Sequence, residues 1–163
     1  MRHVLSILVA NNPGVLGRIV SLFSRRAYNI DGLSVGTSED QRFTRITVSV
    51  QGDERVVEQI QKQVAKLHDV EDVTELKPES AIYRELCLVK VEATAAARPD
   101  IFNVASVFRA NIIDVSVKTL TMELTGDLDK IAAFVEIMKP YGIIEIVQTG
   151  LTAISRGAEK AKS

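Results

Sequence analysis

The feature that most constrains the fold of this chain is a pattern of hydrophobic segments that occurs twice. In each half, alternating apolar residues indicate strands, and apolar residues at spacings of three and four indicate helices. The order is strand, helix, strand, strand, helix and strand, which is the ferredoxin-like plan. The sequence therefore predicts an α+β chain of two tandem ferredoxin-like β-α-β-β-α-β domains. The segments lie at residues 4–10, 15–23, 31–35, 43–50, 57–67 and 70–76 in the first half, and at 86–92, 99–108, 112–117, 120–124, 131–138 and 143–147 in the second.

Short matches between the halves support an internal duplication. Ser21-Leu22-Phe23 corresponds to Ser106-Val107-Phe108, and Gly52-Asp53 corresponds to Gly126-Asp127. The offset between matching residues falls from 85 to 74, because the second half has a shorter hairpin and lacks the polar loop of residues 36–43. The alternative is that two common α+β patterns resemble each other by chance.

Shifts in composition predict the domain boundaries. We expect the first domain at residues 1–76, a linker at 77–84 and the second domain at 85–149. Residues 150–163 have little apolar content after Ile154, and we expect them to form a mobile tail.

Charge and composition exclude several classes of protein. The 163 residues include 20 basic and 21 acidic side chains, a balance that gives no electrostatic footprint for nucleic acid. The longest apolar run, residues 131–135, is far shorter than the roughly 20 residues needed to cross a bilayer. The N-terminus has no signal-peptide pattern, so we expect a cytoplasmic protein. The single cysteine, Cys87, provides neither an internal disulfide nor a thiolate metal cluster.

No set of residues typical of catalysis stands out. His3 and His68 have no metal-ligand spacing to each other or to Cys87, and we expect ordinary surface or strand-edge histidines. Cys87 alternates with leucines in an apolar strand, where a free cysteine usually packs as a small hydrophobe. Gly14 and Gly17 have the G-x-x-G spacing of a KH loop, but the residues between them are apolar rather than basic. We therefore expect no catalytic residue and no metal on this chain.

The most informative segment is the turn Asn11-Asn12-Pro13-Gly14 at the start of the first helix. Either asparagine can cap the helix, proline has no N–H to leave unpaired, and the glycine lets another molecule approach the backbone. Exposed N–H groups at a helix N-terminus attract an anion such as a carboxylate. Val15 and Leu16 can add apolar contact, so the segment suits an amino acid with an aliphatic side chain. An ordinary helix start without a ligand is the alternative interpretation.

A second clue is the strand around residues 32–36, which lies at the border of a ferredoxin-like sheet. Its unpaired backbone groups can bond to another chain, and such pairing would form a dimer. The sheet face opposite the helices carries serine and threonine as well as Val4 and Leu8. This mixture leaves open whether that face meets water or protein.

Residue patterns in both halves resemble one known family. The first half reads Asn11-x-Pro13-Gly14-Val15-Leu16-x-Arg18 and then Phe23-Ser24-Arg25-Arg26-x-Tyr28-Asn29-Ile30, which is similar to the N-terminal ACT domain of acetolactate synthase small subunits. The second half resembles the same family at Arg84-Glu85-Leu86-x-Leu88-Val89-Lys90, Phe108-Arg109-Ala110-x-Ile112-Ile113-Asp114-Val115 and Ser155-Arg156-Gly157. The similarity spans nearly the whole chain.

This resemblance implies a non-catalytic regulatory subunit in branched-chain amino-acid biosynthesis. Members of the family bind a thiamine-diphosphate-dependent catalytic subunit, raise its activity and confer feedback inhibition by valine. Thiamine diphosphate, magnesium and FAD are then expected on the catalytic partner, with no cofactor on this chain. A homodimer formed through the ACT domains is also implied.

The resemblance further implies that an effector binds at the interface between two ACT domains. The matching positions are Asn11, Gly14, Val15 and Leu16 of one copy and Asn29 and Ile30 of its neighbour. The amides near Gly14 and Val15 are expected to hold the effector carboxylate, and the two asparagines to anchor polar groups. Leu16 and Ile30 are expected to contact the aliphatic side chain. The second half has Ala96-Ala97-Arg98-Pro99 at the equivalent turn, so no second effector site is expected there.

Two other function classes remain open from the sequence. An independent amino-acid sensor that regulates transcription needs a DNA-binding segment, and no helix-turn-helix or basic stretch is left over beside the two halves. A small enzyme on a duplicated scaffold needs a convergent catalytic set. The sequence does not choose among valine, leucine and isoleucine as effector, because their side chains differ by at most one methylene or its placement.

Overall fold

The computed structural model describes residues 1–158, and the elements follow the predicted order in both halves. One additional strand follows the second half. The first half contains β1 (Arg2–Ala10), α1 (Val15–Arg25), β2 (Ile30–Thr37), β3 (Phe43–Gln51), α2 (Glu54–Ala65) and β4 (Val70–Glu75). The remaining elements are β5 (Ala81–Glu92), α3 (Arg98–Phe108), β6 (Asn111–Val115), β7 (Thr119–Gly126), α4 (Leu128–Met138) with a 3-10 turn at Lys139–Tyr141, β8 (Ile143–Gln148) and β9 (Thr152–Ser155).

The chain forms two compact units, each of which contains one of the two halves. The N-terminal unit comprises Met1–Tyr83 together with the segment from Gly150 onwards, and the C-terminal unit comprises Arg84–Thr149. The N-terminal unit is therefore discontinuous in sequence.

The N-terminal unit has a four-stranded antiparallel sheet in the order β2-β3-β1-β4. Alternate residues of β1, among them Leu5, Ile7 and Val9, pack with α1 and α2 in one core. Helix α2 begins at Glu54, three residues before the predicted segment, because the Asp53 carboxylate caps it and accepts a hydrogen bond of 2.9 Å from the Val56 amide. The order makes β2 an edge strand, as the sequence predicts.

The C-terminal unit repeats this plan with the strand order β6-β7-β5-β8. Its core includes Cys87, which is fully buried, and burial raises the pKa of this thiol. The expectation that Cys87 packs as a hydrophobe is confirmed. Helix α4 is capped by Asp127, whose side chain accepts a hydrogen bond of 2.9 Å from the Lys130 amide.

Residues 150–158 do not have the character of the mobile tail that we expected at 150–163. Strand β9 pairs with β5, and Leu151 and Ala153 are only 2% and 7% exposed. These two side chains pack against Val4, whereas the alternate residue Ile154 points to solvent. Burial of Leu151 and Ala153 against apolar residues on the sheet face opposite the helices stabilises this segment. Residues 159–163 of the expected tail lie outside the described part of the chain.

The linker expected at 77–84 is also shorter than predicted. Its first residues form a turn, in which the Ser80 amide bonds to the Lys77 carbonyl at 3.0 Å. From Ala81 the chain already belongs to β5, because Ala81 is buried in the same cluster as Leu76 and Leu151. Pro78 in the sequence indicates that β4 has ended. The sequence does not reveal the tertiary contact of Ala81, which ends the linker.

The polar residues on the sheet face opposite the helices are buried. Ser6 and Ser49 are almost inaccessible, and their hydroxyl oxygens accept hydrogen bonds from Arg45 at 2.8 Å and Arg2 at 3.2 Å. Hydrogen bonding offsets the cost of removing these hydroxyls from water. The face that the sequence left undecided is therefore covered by protein.

His3 differs from the expectation of a surface or strand-edge histidine. It lies on the inner strand β1, is buried, and places Nδ1 2.7 Å from Oε1 of Glu75. Within residues 1–158, no group of three His, Cys, Asp or Glu side chains is arranged to hold a metal ion. In the same range, none of the helices has the length and apolar character required to span a membrane.

Candidate ligand-binding site

The turn between β1 and α1 leaves the start of the helix open. Gly14 is the N-cap residue, with a left-handed φ of 83°, and no side chain within residues 1–158 caps the helix. The expectation that an asparagine caps α1 is therefore wrong. Asn11 instead donates from Nδ2 to the Gln41 carbonyl at 3.2 Å. The Val15 amide makes only a long contact of 3.5 Å to the Asn12 carbonyl, so the first-turn amides can serve an anion.

Arg18 adds positive charge directly beside this turn. Its Nη1 lies 3.3 Å from the point where a Cβ on Gly14 would be. Its Nε and Nη2 donate to Oδ2 of Asp69 at 2.9 and 2.5 Å. Asp69 follows α2, and its backbone carbonyl accepts a hydrogen bond from the Ala10 amide at 2.8 Å. Asp69 therefore connects Arg18 of α1 to the end of strand β1. Asp69 is not among the predicted site residues, because nothing in the local sequence indicates a partner 51 residues from Arg18.

The Arg18–Asp69 pair gives the N-terminal unit an acid-sensitive contact. The hydrogen bond from Arg18 lowers the pKa of Asp69 below its ordinary value, against the opposing effect of burial. Because the pKa is lower in the folded chain, the pair stabilises fully above the ordinary aspartate pKa of about 4 and loses its effect as pH falls below it. We expect Asp69→Asn to lower the free energy of unfolding near neutral pH, with the difference from the wild type shrinking at about pH 3.

Chemical denaturation of both proteins across this pH range measures the effect. Glu71→Gln is the matched control, since Glu71 is an exposed carboxylate on β4. A gap between the wild type and Asp69→Asn that stays constant down to about pH 3 would show that the ion pair does not stabilise the fold.

The two apolar residues at the helix start have different surroundings. Val15 is 4% exposed and its side chain packs in the core. Contact of a ligand with the Val15 side chain stays a prediction. Leu16 is 39% exposed and remains available for such contact.

The other two candidate residues lie at the opposite end of the sheet. Ala10, just before the turn, pairs with Phe43 on β3, whereas Ile30 pairs with Val50. Seven residues along β3 correspond to about 23 Å. Asn29 is exposed, and Ile30 packs partly against the core. One copy of the chain therefore brings Asn11, Gly14, Val15 and Leu16 together but keeps Asn29 and Ile30 away from them.

Comparison with known proteins places both halves in one family. Residues 5–72 match the model for the AHAS small subunit-like ACT domain, and residues 84–157 match the model for the small subunit of acetolactate synthase. A probable acetolactate synthase small subunit from Archaeoglobus fulgidus is 46% identical over 98% of this chain and 100% of its own. The chain belongs to the acetolactate synthase small-subunit family. The resemblance stated from the sequence is confirmed.

Other members of the small-subunit family agree over similar lengths. The acetolactate synthase small subunit of Haemophilus influenzae is 42% identical over 96% of this chain and 97% of its own. The crystal structure of the acetolactate synthase small subunit from Thermotoga maritima matches with a TM-score of 0.91 at 37% identity, covering 98% of this chain and 99% of that one. These matches confirm the α+β class with two ferredoxin-like arrangements, the first an ACT domain.

Proposed function

We propose that this chain is the cytoplasmic regulatory subunit of an acetolactate synthase. In this role it binds the catalytic subunit, raises its activity and makes it sensitive to inhibition by valine. The observation that carries the proposal is the match of both halves to small-subunit family models, the first of them an ACT domain with an uncapped turn at the start of α1. Carboligation belongs to the catalytic subunit, together with thiamine diphosphate, magnesium and FAD.

A second copy of the chain completes the effector site in this proposal. Strands β1 and β2 are both antiparallel to β3, so they run in the same direction and end at the same end of the sheet. The free edge of β2 can pair antiparallel with β2 of a second copy. Such pairing brings the start of the second β2, with Asn29 and Ile30, to the end of the sheet that carries Asn11 and Gly14. A homodimer through β2 therefore supplies both parts of the site.

Each part has a distinct task toward the zwitterionic effector. The first-turn amides near Gly14 and Val15 hold the carboxylate, at a helix end whose dipole favours negative charge. Asn11 of one copy and Asn29 of the other anchor the polar groups. The exposed Leu16 side chain and Ile30 of the second copy contact the aliphatic group.

An effector between two copies changes the catalytic subunit by favouring one arrangement of the dimer over another. A coupling free energy of about 1–3 kcal/mol changes affinity or activity about 5- to 150-fold. This range is sufficient for feedback control without any chemistry on the regulatory chain.

The proposal is tested by measuring acetolactate formation with this chain alone, with the catalytic subunit alone, and with both, each with and without valine. We expect no activity from the chain alone, a higher rate in the mixture than with the catalytic subunit alone, and a valine-dependent decrease only in the mixture. Activity of the isolated chain, or a catalytic rate that does not change on mixing, would refute the regulatory role.

A further inference from the structure

The segment that precedes β9 lies directly on the edge strand β2. A Cβ on Gly150 would be 2.3 Å from the carbonyl oxygen and 2.5 Å from the carbonyl carbon of Leu33. Ordinary contacts of a Cβ begin at 3.4 Å, and the atoms it meets are backbone atoms that no side-chain rotation can remove. Position 150 therefore requires glycine for its close approach to β2.

One hydrogen bond extends this approach along β2, and Gly32 lies close by. The Ser34 hydroxyl donates to the Leu151 carbonyl at 2.7 Å. Gly32 lies on the other side of Leu33, and a Cβ on it would be 3.9 Å from the Gly150 Cα. Residues 150 and 151, which we call the strap, thus contact two consecutive residues of β2, Leu33 and Ser34.

The strap is held at its far side by the rest of the N-terminal unit. Leu151 packs with Val4 and Leu76. Further on, the Arg156 amide donates to the Ser80 carbonyl at 2.8 Å, and its Nε donates to the Ala81 carbonyl at 3.2 Å. These contacts fix the strap in its position against β2.

The part of β2 that the strap touches lies beside an irregular part of the sheet. The pairing of β2 with β3 shifts register between Ile30 and Gly32. As an edge strand, β2 has ladder hydrogen bonds on one side only. Its start, which carries Asn29 and Ile30, therefore depends on contacts from the sheet faces for its position.

We propose that Gly150 is a positioning residue for the effector site. By holding Leu33 and Ser34, the strap sets the position of β2 and hence of Asn29 and Ile30, which lie at its start and face the second copy. This inference rests on the proposed function, because it concerns the same two-copy site. It assigns control of effector affinity to a residue more than a hundred positions along the chain from that site.

Gly150→Ala tests the proposal, since the added methyl must push β2 or the strap away by about 1 Å to reach ordinary contact distance. We expect the half-inhibitory valine concentration of the reconstituted enzyme to rise about tenfold or more, while maximal activation without valine stays within about twofold, because a misplaced contact weakens binding steeply. The matched control is Thr152→Ala, which removes an exposed side chain next to the strap. It is expected to leave both quantities unchanged.

A second pair of variants keeps the test valid if Gly150→Ala does not fold. Ser34→Ala removes the hydroxyl that donates to Leu151 without adding volume, and Ser34→Thr retains a hydroxyl. We expect Ser34→Ala to raise the half-inhibitory concentration about two- to tenfold, the effect of one neutral hydrogen bond, and Ser34→Thr to recover most of it. If the contact were purely structural, Ser34→Ala would lower the midpoint of thermal unfolding, and valine sensitivity and activation would fall together.

The outcomes separate the two proposals. If the wild-type enzyme responds to valine and both Gly150→Ala and Ser34→Ala respond equally well, the positioning role is wrong and the proposed function stands. If activation is lost together with sensitivity in folded variants, the strap supports the whole unit and the positioning role is again wrong. If the wild type itself shows neither activation nor valine response, the proposed function fails and the positioning role fails with it.

Discussion

Replacing Gly14 by aspartate is expected to abolish the response to valine while activation of the catalytic subunit persists. The new carboxylate would stand at the N-cap of α1, where the effector carboxylate is proposed to bind, and would repel it. Its Cβ would lie 3.3 Å from Nη1 of Arg18, so the side chain can also engage the nearby positive charge. The fold should survive, because aspartate is one of the few residues that tolerate a left-handed φ such as the 83° at Gly14.

The measurement is a valine titration of acetolactate formation with the variant and the catalytic subunit. Gly14→Asn is the matched control, because it has nearly the same volume and the same tolerance of positive φ but no charge. It is expected to retain more of the valine response than Gly14→Asp. An undiminished response of Gly14→Asp would remove the turn from the site, and loss of activation in addition would indicate a misfolded subunit.

Phe23→Ala is expected to have the largest effect on stability, and to act on the N-terminal unit alone. Phe23 is 1% exposed, packs in the core between sheet and helices, and meets Tyr28 edge-on at a centroid distance of 5.9 Å. Truncation of a buried phenylalanine costs about 3–5 kcal/mol. Since whole domains are stable by only about 5–15 kcal/mol, this loss is a large share of the stability of the unit. Valine sensitivity should be lost with it.

Hydrogen exchange resolved by peptides measures where the stability is lost. Phe134→Ala is the matched variant in the C-terminal unit, where Phe134 is fully buried and meets Phe108 edge-on at 5.4 Å. Phe23→Ala should increase exchange in peptides from residues 1–83, and Phe134→Ala in peptides from 84–149. Equal loss of protection in both sets of peptides for both variants would show that the two cores do not unfold as separate units.

The order of strands and helices could be predicted from sequence because each element carries its own apolar periodicity. Val57, Ile60 and Val64, for example, recur at spacings of three and four and all lie in the core. The start of α2 was also predictable, since a cap such as Asp53 acts on an amide three residues away. Local patterns therefore sufficed wherever the stabilising contact is local.

Features that depend on distant contacts could not be predicted. Strand β9 is short, and its partner strand β5 and the neighbouring Val4 lie far away in sequence, so the sequence of residues 152–155 resembled a tail. The pairing of Arg18 with Asp69 was missed for the same reason.

The candidate site was predicted in part. The turn at residues 11–14 leaves backbone N–H groups at the start of α1 without a side-chain cap, and the N-cap residue is Gly14 rather than an asparagine. The distance between this turn and Asn29 follows from strand register, which the sequence alone does not reveal.

A mixing experiment tests whether the effector site is assembled from two copies of the chain. Gly14→Asp damages the turn, and Asn29→Ala damages the part contributed by the neighbouring β2, so neither variant alone should bind valine in a calorimetric titration. In a mixed dimer, however, one of the two sites combines the intact turn of one copy with the intact Asn29 of the other.

When the two variants are unfolded together and refolded, random pairing gives mixed dimers in about half of the population. The expected result is that valine binding returns at about a quarter of the wild-type number of sites, because each mixed dimer has one intact site. If the wild type binds valine, neither variant does, and the mixture also binds none although mixed dimers have formed, the site does not combine residues of two copies.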